Sequence, residues 1–231
     1  LFDEYDLSTY FKTANTSGAA ELLDATHFQS AAKEFVAGFK DGKISVEGFF
    51  ASDSINQAAV DDVLNAALGT ETQHVLTFSP EGIATLGNRA LLLLVDQNKY
   101  QVSSPATNLI MSSAEFQSST GIDNAVVLQP KGAVTATGNG TGVDNGAATS
   151  NGGVAHLHVI AASGTTPTLD GKIQHSADGS TWADLITFDQ VTDVASQRKI
   201  VTGTVNQYLR FIRTIGGTTP SFTLAVAFAR R

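Results

Sequence analysis

The chain has 231 residues, enough for one large domain or two modest ones whose cores need neither disulfides nor metal. It contains no cysteine, which excludes a disulfide framework, thiolate zinc sites and thiol catalysis and fits synthesis in a reducing cytoplasm. The formal net charge is -8: residues 1–130 hold 16 acidic and 6 basic side chains, and residues 131–231 hold 6 and 8. This balance argues against tight nucleic-acid binding, which depends on Lys and Arg.

No membrane-crossing segment is expected, because the longest strictly apolar run, Ala90–Val95, is far shorter than a bilayer span. The acidic start of the chain, Leu1–Asp6, also differs from the basic start of a signal peptide. Residue 1 is Leu, so removal of an initiator methionine and other processing are both compatible with this N-terminus.

Alternation of apolar and polar residues with period two predicts strands in the first half of the chain. In Lys43–Phe50, Ile44 and Val46 share one face, and the polar residues share the other. Asn108–Ser119 has the same pattern, and Ala90–Val95 is apolar on both faces, as expected for a buried strand. The polar faces of the first two strands carry Lys43, Ser45, Glu47, Ser113, Glu115 and Gln117.

One segment has helical spacing instead. Ala58–Leu68 places small and aliphatic residues on one helical face, with Asn56 available as an N-cap and Gly69 as a stop signal. The sequence therefore predicts a single helix between the strands of the first half.

The second half begins with a segment rich in glycine and asparagine, Thr135–Gly153, which predicts a loop or linker. Alternation resumes at Tyr208–Ile215 and at Phe222–Phe228, as in sandwich strands. The predicted fold is mainly β: an antiparallel β-sandwich or barrel with one flanking α-helix in residues 1–130, and a C-terminal β-sandwich region in 131–231. The linker is expected at about 131–153, although one sandwich with a long internal loop also fits.

No residue pattern marks a catalytic or metal site. His156 and His158 would point the same way from a strand, but no Cys or acidic cluster completes a set of metal ligands. The sequence contains no nucleophile elbow, Walker loop or dinucleotide-binding motif, so no catalytic residue, metal or cofactor is expected.

One motif in the C-terminal half matches the Asp-box hairpin. In this hairpin an acidic side chain and a hydroxyl side chain form hydrogen bonds with the backbone of the turn. A single copy favours a structural turn. The residues of this turn are Ser176, Asp178, Gly179, Thr181 and Trp182.

Residues 6–50 contain spaced markers that resemble the opening of the major tail tube proteins of long-tailed, siphovirus-like bacteriophages. The markers are Asp6, Ser8, Tyr10 and Phe11; Asp24, Thr26 and Phe28; Lys33 and Phe35; Gly38, Phe39, Asp41 and Gly42; and Ser45, Gly48, Phe49 and Phe50. The helix that follows, and the later stretches around Val143–Val159 and His175–Phe188, are similar to proteins of this kind. The order of the motifs carries the resemblance.

The resemblance implies a structural virion protein whose subunits form rings, usually hexameric, that stack into a hollow tail tube. The tube conducts viral DNA during ejection without binding it specifically. The resemblance thereby makes the six residues on the polar faces of the two strands, Lys43, Ser45, Glu47, Ser113, Glu115 and Gln117, candidates for the solvent-filled lumen. The partners implied are other copies of the chain, other tail proteins and passing DNA, with no membrane, no enzyme activity and no cofactor. The location implied is the virion tail, after synthesis and assembly in the host cytoplasm.

The resemblance also implies that Asp24–Phe39 forms an arm that reaches a neighbouring subunit or ring. A duplicated fold would allow pseudo-hexameric rings of three subunits, so the stoichiometry stays open. The inter-subunit candidates are Asp24, Thr26, Phe28, Phe35 and Phe39.

Two other functions remain open at this stage. A carbohydrate- or surface-binding β-sandwich module of a virion or secreted protein could use Trp182, Tyr208 and the glycine-rich loops. A hydrolase with a sandwich accessory domain ranks below it, because no acid pair or nucleophile is marked locally.

Overall fold

The computed structural model describes residues 1–53, 55 and 58–231. Twelve strands and one helix lie in these residues: β1 (Phe11–Asp24), β2 (Phe35–Phe49), α1 (Val60–Ala67), β3 (His74–Phe78), β4 (Arg89–Ser103), β5 (Met111–Ser118), β6 (Asp123–Val134), β7 (Gly138–Asn139), β8 (Val143–Asp144), β9 (Gly153–Ser176), β10 (Ala183–Thr187), β11 (Ala195–Val201) and β12 (Tyr208–Arg230). The prediction of a mainly antiparallel β fold with one helix is confirmed. Within the described residues the strands do not close into a barrel.

The chain divides into two compact units, each built from discontinuous segments. The first unit comprises Leu1–Asp6, Val75–Leu92 and Asp123–Arg231, and the second comprises Leu7–His74 and Leu93–Ile122. The position chosen from composition for a domain boundary, Lys131, lies inside β6. A separate C-terminal region of residues 131–231 stays a prediction. Composition shows where the residue content of the chain changes, but it does not show which strands pair.

Two long strands organise the first unit. β9 and β12 pair antiparallel along almost their whole lengths, from Gly153 opposite Arg230 to Ser176 opposite Tyr208. The beginning of β9 also pairs with β11 and its end with β10, while the two halves of β12 pair with β7 and β8 and with β6. Side chains from both halves of β9 and β12 meet in one buried apolar cluster, which includes Leu157, Ile173, Phe211 and Phe228. The unit is therefore a sandwich whose two halves share the same two strands.

A repeated tetrapeptide, Gly-Thr-Thr-Pro, lies where β9 and β12 lose their regular register. It begins at Gly164 in β9 and at Gly217 in β12, and Thr165 pairs with Thr218 across the two strands. Both glycines have positive φ, 112° and 110°, in a region that L side chains rarely adopt. A Cβ on Gly217 would lie 2.7 Å from the carbonyl oxygen of Thr166, so the backbones approach too closely for any other residue.

Replacing Gly217 with alanine is expected to destabilise the first unit by about 1–3 kcal/mol, because strained backbone and a backbone clash coincide there. Gly132→Ala is the matched control, since its Cβ would meet only the Pro130 carbonyl oxygen at 4.0 Å. Urea denaturation of both variants measures the difference. Equal midpoints for Gly217→Ala and the wild type would contradict the prediction.

The predicted linker is partly ordered by backbone pairing. It contains the end of β6 together with β7 and β8, and both short strands pair with β12. The Gly140 N–H donates to the Phe211 carbonyl at 2.7 Å, and a Cβ on Gly140 would lie 2.6 Å from that oxygen. These contacts use main-chain atoms, so apolar periodicity could not reveal them.

The second unit contains a four-stranded antiparallel sheet in the order β1, β2, β5, β4. The helix α1 has four buried residues, Val60, Val63, Leu64 and Ala67, and Gly69 follows it with φ of 72°. The predicted cap, Asn56, lies outside the described residues. No helix in the described part of the chain is long and apolar enough to cross a membrane.

Candidate assembly surface

The six candidate lumen residues lie directly opposite one another on two neighbouring strands. Lys43 of β2 faces Gln117 of β5, Ser45 faces Glu115, and Glu47 faces Ser113. Successive residues of a strand point to opposite faces, so all six side chains share one face of the sheet. We call it the polar face. The residues between them, including Ile44, Val46 and Phe116, are buried on the other face.

The polar face extends over the two outer strands. β1 adds Thr13, Asn15 and Ser17, which lie opposite Glu47, Ser45 and Lys43. β4 adds Asp96, Lys99 and Gln101, which lie opposite Gln117, Glu115 and Ser113. All twelve of these positions are polar, whereas a sheet face that packs against a core would carry apolar side chains.

Glu115 is the electrostatic centre of the polar face. Its carboxylate forms ion pairs with the Nζ atoms of Lys43 and Lys99, the latter at 3.3 Å. Hydrogen bonds from Lys43 and Lys99 hold the pKa of Glu115 below its usual range. With Glu47 and Asp96, these twelve positions hold three acids and two lysines, which leaves one net negative charge among them per copy. The sequence pattern did not predict that Lys99 lies on this face, because the apolar first half of β4 hides the alternation of its second half.

The opposite face of the sheet is fixed to α1 by two hydrogen bonds. Gln97 Nε2 donates to the carbonyl of Leu64 at 2.8 Å, and the Tyr100 hydroxyl donates to Asp61 Oδ1 at 2.7 Å. The helix therefore covers one side of the sheet, and the polar face is the side that remains for solvent or another molecule.

The arm, Asp24–Phe39, begins with a hydrogen-bonded turn. Asp24 Oδ1 accepts from the backbone N–H of Thr26 at 2.9 Å, and Thr26 Oγ1 accepts from the N–H of Glu34 at 3.0 Å. Hydrogen bonds from Thr26 hold the pKa of Asp24 below its usual range. Asp24 and Thr26 thus stabilise the turn through hydrogen bonds within the arm. The aromatic residues of the arm are then the candidates for contacts with another molecule.

Those aromatic residues are exposed. Phe28 is fully exposed, Phe39 is 86 % exposed and Phe35 is 53 % exposed. The neighbouring Leu22, Leu23 and Val36, which the sequence analysis did not select, are exposed as well. Exposed apolar side chains concentrated on one hairpin indicate an interaction surface.

The Asp-box turn is closed by its own side chains. Asp178 Oδ1 accepts from the N–H groups of Ser180 and Thr181, each at 2.8 Å, and from the Ser176 hydroxyl. The two backbone hydrogen bonds hold the pKa of Asp178 well below its usual range. Trp182 is partly buried, with the Arg210 guanidinium 4.2 Å above its ring. One face of the indole is therefore occupied, which leaves less of it for stacking on a sugar.

His156 and His158 are both buried and meet at the hydroxyl of Thr77. His158 Nδ1 donates to the Asp3 carbonyl at 2.6 Å, so its Nε2 is an acceptor when the ring is neutral. Thr77 donates to that Nε2 at 2.8 Å and accepts from His156 Nδ1 at 3.1 Å. Burial lowers the pKa of His158 to about 4 and the pKa of His156 well below its usual value.

The free energy of unfolding is expected to fall as the pH drops below about 6.5, the pKa of an unfolded His. Below this pH the two histidines bind protons in the unfolded chain, whereas their buried rings stay neutral in the folded chain. For His158 the loss of stability continues until the pH reaches about 4. His158→Asn should flatten this dependence, and the exposed His27→Asn should not. Urea denaturation over a pH series tests this, and a parallel pH dependence in all three proteins would contradict it.

Among the described residues no group of three His, Asp or Glu side chains could hold a metal ion. The hydrogen bonds of these two histidines to Thr77 and Asp3 are structural, and the buried His156 Nε2 has no hydrogen-bond partner among the described residues.

No protein-family model and no curated protein matches the sequence. Among solved structures, the chain is similar to a component of the virion of a native gene transfer agent particle, with 14% identity, a TM-score of 0.39, and coverage of 54% of this chain and 93% of the other. It is also similar to the Dit protein of phage SPP1 (12% identity, TM-score 0.39, coverage 99% and 98%). A chain of the phage p2 baseplate follows (8% identity, TM-score 0.34, coverage 100% and 97%). Likenesses this low do not assign a function.

Proposed function

We propose that this protein is a structural subunit of a bacteriophage tail, and more specifically a tail tube subunit that assembles with itself and conducts DNA. One observation carries the proposal: a four-stranded sheet has one face fixed to a helix and the other polar at twelve positions. A wall around a water-filled channel needs such a face. The ordered motifs in residues 6–50 support the same assignment.

The edges of this sheet supply a way to form a ring. β1 is at one end of the strand order, and Lys99–Ser103 of β4 pair with β5 on one side, while β6 reaches only Arg89–Leu92 on the other. Pairing of β1 in one copy with β4 in the next would continue the sheet from subunit to subunit. Such a head-to-tail contact forms a closed ring when the rotation between neighbouring copies divides a full turn, and closure removes the exposed edges.

The charges of the polar face suit a conduit for DNA. The twelve positions carry one net negative charge per copy, and both lysines are held by Glu115. Paired lysines are less available to phosphate groups, on which DNA affinity depends. We propose that DNA passes along this face without specific binding, that other tail proteins cap the tube, and that no cofactor takes part.

Negative-stain microscopy of the purified protein, combined with sedimentation over a concentration series, tests the proposal. The expected result is rings at moderate concentration and stacked tubes at high concentration. Rings that never stack would contradict the assignment as a tube subunit. That result would still agree with a tail component that forms a single ring. A protein that stays monomeric at all concentrations would contradict self-assembly.

A further inference from the structure

The segment Leu1–Asp6 closes over the buried pair His156 and His158, and we call it the lid. The backbone carbonyl of Asp3 accepts a hydrogen bond from His158 Nδ1. Thr77 of β3 bonds both rings, and β3 carries the lid on its edge. On the other side the two histidines belong to β9, which is paired with both β11 and β12. Hydrating the rings from the β9 side would break strand pairs, whereas lifting the lid leaves every pair of that ladder intact.

The lid is attached along one strand edge and contains a strained residue. The Asp3 N–H donates to the Val75 carbonyl at 2.8 Å, and the Leu1 carbonyl accepts from the Thr77 N–H at 2.9 Å. The Asp3 carboxylate accepts from the Val75 N–H at 2.7 Å, and Phe2 is buried. Asp3 has a positive φ of 46°, a strained conformation that residues other than glycine rarely adopt. Detachment would relieve this strain, which favours opening of the lid over opening of the regular strands beneath it.

The hydrogen bonds between the lid and the histidines require neutral rings. His156 Nδ1 donates to the Thr77 hydroxyl, the hydroxyl donates to His158 Nε2, and His158 Nδ1 donates to the Asp3 carbonyl. An added proton on His158 goes to Nε2, because Nδ1 already carries one. The Thr77 hydroxyl then loses its acceptor, and N–H groups of both rings point at the same oxygen. Protonation therefore breaks this chain of hydrogen bonds at its centre.

The surroundings of His156 also disfavour a charged ring. Burial lowers the pKa of His156 most, and the charges of a protonated His158 and of Arg198, which lies directly opposite on β11, lower it further. The Arg198 Nη2 atom is 4.0 Å from the carboxylate of Asp123, which Arg231 binds as well. An added proton on His156 would go to Nε2, which has no hydrogen-bond partner among the described residues.

The lid places charges of both signs near His158. Burial lowers the pKa of His158 most, the positive α-amino group of Leu1 lowers it further, and Asp3 raises it. Asp6 and Lys131, which form an ion pair with each other, lie near that amino group. The neighbouring residues on β3 and β12 are uncharged: Thr77, Ala225 and Ala227. The balance of these groups favours neutral rings while the lid is closed.

We propose that the lid is an acid-sensitive switch, in which protonation of the histidine pair detaches Leu1–Asp6 from β3 while β9 and β12 stay paired. The switch is independent of the tail function, because every contact that carries it lies within the first unit of a single chain. Acid would thereby uncover the edge of β3 and the two imidazoles without unfolding the sandwich.

Proton linkage gives the direction and the size of the effect. His158 has a pKa of about 4 under the closed lid and about 6.5 when hydrated, so the open lid binds a proton that the closed lid excludes. The ratio of open to closed molecules is therefore constant well above pH 6.5 and rises as the pH falls through that value. For His158 alone the rise between pH 8 and pH 5 is about thirtyfold. His156 adds to this factor, because burial lowers its pKa too.

Hydrogen–deuterium exchange of the whole chain at several pH values, corrected for the intrinsic exchange rate at each pH, tests the switch. The reporter peptide contains Val75 and Thr77, whose N–H groups bond to the lid, and the reference peptides contain Leu157 of β9 and Val226 of β12. We expect the reporter to exchange through an opening that leaves the reference peptides protected at every pH. Its protection should fall by a factor of about thirty or more from pH 8 to pH 5.

His158→Asn removes the titrating ring, and the new amide can still donate to the Asp3 carbonyl. In this variant the fall in reporter protection should shrink by about thirtyfold, whereas the variant of an exposed histidine, His27→Asn, should show the wild-type fall. An undiminished fall in His158→Asn would overturn the inference, because other groups would then control the lid. Equal protection of the wild-type reporter and reference peptides, or reporter protection that does not change with pH, would overturn it even if His158→Asn does not fold.

Discussion

Replacing both Phe35 and Phe39 with alanine is expected to leave a folded monomer that no longer forms rings or tubes. Both rings are largely exposed in the single chain, so their removal costs the fold little. Truncation of an aromatic anchor at an interface often costs about 2 kcal/mol or more, which weakens association by a factor of roughly 30. Sedimentation measures the loss of assembly, and urea denaturation measures the retained stability.

The matched control replaces Val194 and Ile200, two exposed aliphatic residues of the first unit, with alanine. This pair removes exposed apolar surface without touching the arm, and its assembly should match that of the wild type. Normal tubes from the double phenylalanine variant would show that the arm plays no part in assembly. A large drop in its unfolding midpoint would show that the rings stabilise the monomer instead.

A second large effect is expected from reversing the charge of the polar face. Glu47→Lys combined with Glu115→Gln changes the net charge of the twelve positions from one negative to two positive charges per copy. It also frees Lys43 and Lys99 from their ion pairs. Tubes of this variant should bind a short DNA duplex at low salt, and the binding should weaken steeply as salt rises.

The control for this experiment places the same change of charge elsewhere. The control variant combines two substitutions in the first unit. Asp184→Asn removes one negative charge and frees Lys172 from its ion pair, and Asp193→Lys supplies the rest of the change in net charge. Fluorescence anisotropy of the labelled duplex compares the two sets of tubes. Equal DNA binding by the variant and its control would mean that the polar face does not line the channel.

The strands that could be predicted were those whose apolar alternation was undisturbed. Ile44 and Val46 on β2, and Phe116 on β5, mark a buried face directly, and the polar residues between them then lie on the other face. Pairing partners could not be derived in this way. Lys99 and Lys43 meet Glu115 from different strands, and a period of two gives the face of a residue without its neighbour.

The organisation of the chain was harder to predict than its elements. The Gly-Thr-Thr-Pro repeats at Gly164 and Gly217 resemble loop sequences, yet they lie within two strands of 24 and 23 residues, where the register shifts without ending either strand. The glycine-rich segment after β6 pairs through its backbone, as at Gly140, and leaves no side-chain pattern. The compact units are discontinuous because long-range strand pairing, and not local composition, decides which residues pack together.

The central claim is that copies of this chain form a tube whose inner wall is the polar face of the β1–β2–β5–β4 sheet. Cryo-electron microscopy of assembled tubes, at a resolution that separates strands, tests it most directly. The account predicts that Ser45, Glu47, Ser113 and Glu115 face the lumen and that the sheet continues between neighbouring subunits. A reconstruction with these residues on the outer surface, or buried against another subunit, would contradict the account.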